Sequence, residues 1–133
     1  MHRSLAAILA TAFLAACSAT VEIPSATSAK PLHLGAWKSE LDGTLLVIEE
    51  DGRFTVERPA VGAEPARGVI GRWRLDDGDV VFANAADAAT CAGVDGRYAA
   101  RVVRDTARFV EIDDDCPARE EHMAWPWKRA AKP

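Results

Sequence analysis

The chain has no cationic stretch, no Cys-x-x-Cys pair, no Gly-rich phosphate loop and no Gly-x-Ser-x-Gly elbow. Its 16 Lys and Arg are outnumbered by 20 Asp and Glu, for a net charge of −4. Affinity for nucleic acid rests on neutralising phosphates, so this balance argues against a nucleic-acid partner. At 133 residues there is room for one core and none for a large enzyme fold. The 9 Gly and 7 Pro are ordinary, and a hydrophobic content of 49% is too high for a disordered chain. Ser39 is the one Ser of the expected folded region. It ends a strand beside Glu40, far from the strained turn that a nucleophilic Ser needs. The expectation is a small protein that is not an enzyme and needs no cofactor.

What is present begins with an address. Arg3 is a single early cation, and the apolar run that follows it to Ala16 is too short for a membrane span of roughly 20 residues. That is the pattern of a secretory signal. The run ends Leu14-Ala15-Ala16-Cys17, which resembles the lipobox of bacterial lipoproteins. The resemblance implies cleavage of residues 1–16, a diacylglycerol on the Cys17 thiol and an acylated new amine. Acyl chains of that number hold a protein stably on a bilayer, at about 0.8 kcal/mol per buried CH₂. Ser18 in place of Asp after the Cys implies sorting to the outer membrane, with the domain in the periplasm. Residues 18–33 are rich in Ser, Thr, Ala and Pro without a period, and read with Cys17 as a flexible tether (17–33) carrying a domain over 34–133.

With Cys17 acylated, Cys91 and Cys116 remain as an even pair. In an oxidising compartment a disulfide is the default reading, ahead of a redox or metal role. It would close a loop of about 25 residues, worth roughly 3.5 kcal/mol.

Turn signals recur along the rest of the chain. Asp42-Gly43, Asp51-Gly52, Asp77-Gly78 and Asp95-Gly96 each stand between apolar runs, and Arg104-Asp105-Thr106 is a weaker version. Between them lie candidate strands at Leu34–Glu40, Thr44–Glu49, Arg53–Arg58, Gly68–Leu75, Val80–Ala83, Arg97–Val103, Ala107–Ile112 and Met123–Lys128. Several alternate with period two. Phe54 and Val56 oppose Arg53, Thr55 and Glu57; Val69, Trp73 and Leu75 oppose Arg72 and Arg74; Tyr98, Ala100 and Val102 oppose Arg97 and Arg101. One wet face and one apolar face mark an antiparallel sheet over a core. The expected fold is all-β: an antiparallel up-and-down barrel of about eight strands, with a sandwich as the alternative. Asn84–Thr90 is Ala-rich and reads as a short helical turn. A turn centred near Asp105 sets Cys91 opposite a position within a few residues of Cys116, which predicts that the two sulfurs meet.

Gly35-Ala36-Trp37 at the first strand resembles the Gly-x-Trp of lipocalins and the wider calycin superfamily. Cys91…Gly96-Arg-Tyr98, Asp114-Asp-Cys116-Pro-Ala-Arg119 and Trp125-Pro-Trp127-Lys-Arg129 resemble small lipocalin-like bacterial proteins, over about Gly35–Arg129. The resemblance implies that Gly35 and Trp37 close one end of the barrel under an Arg. Either Arg119 or Arg129 is that partner, held by cation–π attraction. A barrel of this size is filled by side chains or holds one small ligand.

Other constellations carry less. Asp113-Asp114-Asp115 lacks the spacing of a Ca²⁺ loop and reads as a solvated turn with a carboxylate near Arg119. His122 reads as a surface His. The aromatics on inward faces, Phe54, Trp73 and Tyr98, are the candidate ligand wall. The expected function is a lipid-anchored periplasmic protein that binds a small apolar or amphipathic ligand. The alternative is an inhibitor of a periplasmic lysozyme or protease, for which the acidic surface would suit a basic enzyme.

Overall fold

The computed structural model describes residues 30–63 and 67–133. The expected signal sequence at 1–16, Cys17 and the expected tether up to residue 29 lie outside the described residues. Among the described residues the strands are β1 (Gly35–Ser39), β2 (Leu45–Ile48), β3 (Arg53–Arg58), β4 (Arg67–Asp76), β5 (Asp79–Asn84), β6 (Asp95–Val103), β7 (Thr106–Asp114) and β8 (Trp127–Ala130), with one helix, α1 (Pro117–Met123), between the last two. Each strand pairs antiparallel with the next, and β8 returns to β1, so the barrel is closed. Closure removes the free edges that an open sheet of this size would expose.

Turn chemistry explains the meander. Asp77 and Gly78 both have positive φ, 51° and 84°, the requirement of the two-residue turn whose twist matches a hairpin. The Arg104-Asp105 turn joins β6 to β7 with Val103 opposite Thr106. The pairing continues to Gly96 opposite Asp114, with one irregularity at Arg97/Tyr98.

Two elements differ from the sequence expectation. Asn84–Thr90 contains no helix: Asn84 ends β5, and its amide Nδ2 donates to the Thr90 carbonyl at 2.8 Å, which holds this segment as a loop. The helix lies instead at Pro117–Met123, so Met123 ends α1 rather than opening the last strand, and β8 starts at Trp127. Pro117 sits in the first turn, where a missing N–H costs nothing, and Glu120 adds an acidic group there.

The barrel is filled with side chains along most of its length. Phe82 meets Phe54, Phe109 and Tyr98 edge-on, with centroids 5.2, 5.7 and 6.2 Å apart, the geometry aromatic quadrupoles favour. Trp37, Leu46, Ile48, Val80, Met123 and Trp127 complete this core. Gly71, facing Phe54 across β3 and β4, makes room for the ring: a Cβ there would stand 2.5 Å from it.

One end of the barrel is sealed. His33, assigned to the tether from sequence, is buried with Leu34, because Trp37 Nε1 donates to the His33 carbonyl at 2.8 Å and draws the segment onto the barrel. The Arg129 guanidinium lies over the Trp37 ring, 4.1 Å from its centroid, and donates to the Leu34 and Leu32 carbonyls. Gly35, at φ 116°, lets the chain turn there, and a Cβ would approach Arg129 Nη1 to 3.2 Å. Of the two arginines left open by the sequence, Arg129 covers the Trp, and Arg119 lies elsewhere. Burial lowers the pKa of His33, which packs edge-on against Trp73.

Candidate functional site

The opposite end carries the β1–β2, β3–β4 and β5–β6 connections and α1. A cleft of about 270 Å³, partly open to solvent, lies there. Its walls are mostly apolar: Phe54 and Val56 from β3, Val69 from β4, Ala118 and Met123 from α1, and Trp127 from β8. Thr44, Arg58, Asn84, Arg119 and His122 supply the polar groups.

The register accounts for this lining. Phe54, Val56 and Arg58 follow one another at period two on the inward face of β3, so the row that begins in the core ends at the rim with a guanidinium. Ser39, at the end of β1, pairs with Trp127, and its N–H donates to the Thr44 carbonyl at 2.8 Å. Thr44 and Trp127 therefore flank β1 on either side at the same height. Both are fully buried, and the Trp127 indole N–H has no hydrogen-bond partner among the described residues. Buried donors are nearly always paired, and leaving one unmade costs about 1–3 kcal/mol.

Beneath one side of the cleft lies a buried ionic cluster. Arg119 Nε donates to Asp114 Oδ2 at 2.6 Å, its Nη2 to Asp114 Oδ1 at 2.8 Å, and its Nη1 to Asn84 Oδ1 at 3.1 Å. The Tyr98 hydroxyl and the Cys116 N–H also donate to Asp114. Burial alone would raise the Asp114 pKa, but the bonds from Arg119, Tyr98 and Cys116 outweigh it and hold the carboxyl below its usual range. Burial and the adjacent carboxylate push the Tyr98 phenol up. A Cβ at Gly96 would stand 2.3 Å from Asp114 Oδ2, so this cluster occupies space that only Gly leaves. Gly96, Tyr98, Asp114 and Arg119, separate pieces of the sequence pattern, thus meet in one place. Asp113 and Asp115 face solvent, and no three His, Cys, Asp or Glu side chains among the described residues gather as a metal site would need.

The Cys91–Cys116 disulfide, Cα–Cα 5.7 Å, ties the β5–β6 connection to the start of α1. At the other end of the helix, His122 Nδ1 lies 2.9 Å from the Ala118 carbonyl, and Nε2 meets the Arg58 guanidinium and lies 3.2 Å from Asp42 Oδ2. Arg58 Nε is also 3.5 Å from Asp42. Burial would raise the Asp42 pKa; the nearby Thr44, through its side chain and its N–H, and His122 together hold it down. The helix over the cleft is pinned at both ends.

The three aromatics expected to form a ligand wall part company. Phe54 lines the cleft. Tyr98 lies in the core and serves Asp114 with its hydroxyl. Trp73 belongs to the sealed end, where its Nε1 donates to the Glu49 carbonyl at 2.6 Å beside His33. Period two identifies the inward face of a strand but not the height along the barrel. Sequence pattern does not single out Thr44, Arg58, Met123 and Trp127 as ligand contacts, because each borders a turn or α1.

The fold and this cleft define an all-β antiparallel barrel, closed at one end and open at the other beneath a disulfide-anchored helix. Comparison with protein-family models, with curated proteins and with solved structures finds no match in any of the three.

Proposed function

We propose that the protein is a non-enzymatic binding protein of the cell envelope that holds a small apolar or amphipathic molecule at the open end of its barrel. Cys17 anchors it by lipid to the outer membrane, and the barrel stands in the periplasm. The observation that carries the reading is the apolar cleft of about 270 Å³ under α1. Small-molecule sites are concave, mostly apolar and furnished with a few polar groups, and the mouths of β-barrels are a usual place for them. Two further features support a lipocalin-like barrel: Gly35-Ala36-Trp37 opening β1, and Arg129 stacked on the Trp37 ring. An inhibitor that works by its outer surface has no need of an open mouth, so the cleft favours ligand binding over that alternative.

A thermal-shift screen of residues 18–133, which include the whole closed barrel, tests the reading. A panel of small amphiphiles and hydrophobic dyes is expected to raise the melting temperature for at least one compound. Ala118→Trp, on the exposed side of α1 at the cleft, should abolish that rise while leaving the unliganded melt nearly unchanged. A panel without a single shift would refute the proposal.

A further inference from the structure

The outer face of the barrel carries a band of cations across four neighbouring strands. Lys38 on β1 lies directly opposite Lys128 on β8, and Arg101 on β6 directly opposite Arg108 on β7. Lys128 is also opposite Thr106, which shares the outward side of β7 with Arg108 two residues on. Their chain neighbours Trp37, Trp127, Ala100 and Phe109 face the core, so period two turns all four cations outward, where they are exposed.

Like charges directly opposite one another weaken a sheet. Here two such pairs stand side by side in a chain of net charge −4. Among the described residues the only carboxylate within 4 Å of any of the four is Asp105, 3.7 Å from Lys128 Nζ. Arg53, Arg74 and Arg97 elsewhere on the surface each have an acidic partner within that distance. The fold thus gathers unmatched positive charge on one face of an acidic protein. Val103 and Val110 stand on the same face, two residues from Arg101 and Arg108, and are 70% and 50% exposed.

This face adjoins the point where the described chain begins. Residues 32–34 lie against β8, where Arg129 donates to the Leu32 and Leu34 carbonyls. From Cys17 to Lys30 is 13 residues, a span of at most about 45 Å. The inference rests on anchorage of the chain through Cys17, which keeps the barrel within that distance of a bilayer. Anionic phospholipid headgroups match the face, with phosphates for the cations and interfacial hydrocarbon for the two valines. An acidic protein would match the charge as well, but the anchor brings the bilayer to β8.

We infer that the face formed by β1, β8, β7 and β6 lies on the anionic surface of the membrane that holds the chain, with Lys38, Lys128, Arg108 and Arg101 on lipid phosphates. The cleft is at the end of the barrel away from Lys30, so this orientation leaves its mouth free. Each cation brought to an anionic surface strengthens binding by about fivefold.

Co-sedimentation of residues 18–133 with vesicles tests the face apart from the anchor. Vesicles with 30 mol% phosphatidylglycerol are expected to bind at least tenfold more tightly than pure phosphatidylcholine near 50 mM salt, and the difference should fade near 500 mM. Arg101→Gln/Arg108→Gln should weaken binding to the anionic vesicles at least tenfold. Arg53→Gln/Arg72→Gln changes the net charge equally on another face and should weaken it by under about threefold. All four arginines are exposed, and both variants should keep the native circular dichroism spectrum. No preference for anionic vesicles, or equal losses in the two variants, would overturn the inference. So would displacement by polyglutamate at equal charge concentration, because the face would then suit an acidic protein. These chains carry no lipid, so none of those results touches anchorage through Cys17. A full chain that takes up no labelled palmitate would refute the anchor, and this orientation with it, whatever the vesicles show.

Discussion

Replacing Arg119 by Met is expected to lower the unfolding free energy by about 3–5 kcal/mol, read from urea denaturation at neutral pH. Asp114 has no exposed side-chain surface and Arg119 only 7%, so removing the guanidinium leaves a carboxylate buried with only the Tyr98 hydroxyl and the Cys116 N–H. Asp114→Asn in the same chain should recover part of the loss, because no charge is then stranded. The same cluster sets an acid limit. The folded pKa of Asp114 is depressed, so its contribution is present above the unfolded carboxyl value of about 3.9 and is lost as pH falls through the folded value. Asp114→Asn should flatten the stability profile in that window. A change under about 1 kcal/mol for Arg119→Met would mean the cluster is relaxed by water or rearrangement.

Removing the disulfide is expected to cost about 2–4 kcal/mol and to leave the barrel intact. Cys91 and Cys116 are 25 residues apart and close a loop containing the whole β6–β7 hairpin. That hairpin is held by its own register from Gly96 to Val103, so Cys91→Ala/Cys116→Ala should keep the far-ultraviolet spectrum of the native chain. The local effect falls on α1, whose first turn hangs from Cys116 and whose contact with the barrel covers the gap left where β7 and β8 pair at only Thr106–Lys128 and Ala107–Trp127. Hydrogen exchange should therefore speed up in Arg119–Met123 before it does in β6. Unchanged stability, or a lost sheet signal, would contradict this assignment.

The barrel was legible because strand period and Asp-Gly turns are local signals. Seven of the strands lie within about two residues of their expected bounds at both ends, since alternation and turn residues both mark them. The last strand was misjudged because Met123 and Trp127 are both apolar and inward-facing, although Pro117 and the acidic Glu120-Glu121 that follow Cys116 form a helix-start signature. Asn84 resembled a helix cap, yet its amide is used to close a loop and to receive Arg119. The site was less legible than the fold. It is assembled from Thr44, Arg58 and Trp127, which are distant in sequence and share only their height in the barrel. That height depends on the stagger of all the strands together, and no single segment records it. The pattern that did stand out, Gly96, Tyr98, Asp114 and Arg119, belongs to the foundation beneath the cleft.

The most direct test of the account is a two-dimensional amide and indole NMR titration of residues 18–133 with whichever amphiphile of the thermal-shift panel raises the melting temperature most. Binding in the cleft predicts saturable shifts at the amides of Phe54, Val56, Val69, Ala118 and Met123, with the Trp37 and Trp73 indoles at the sealed end unmoved. Shifts centred on Trp73 and His33, or scattered over the outer faces of the strands without saturation, would contradict it.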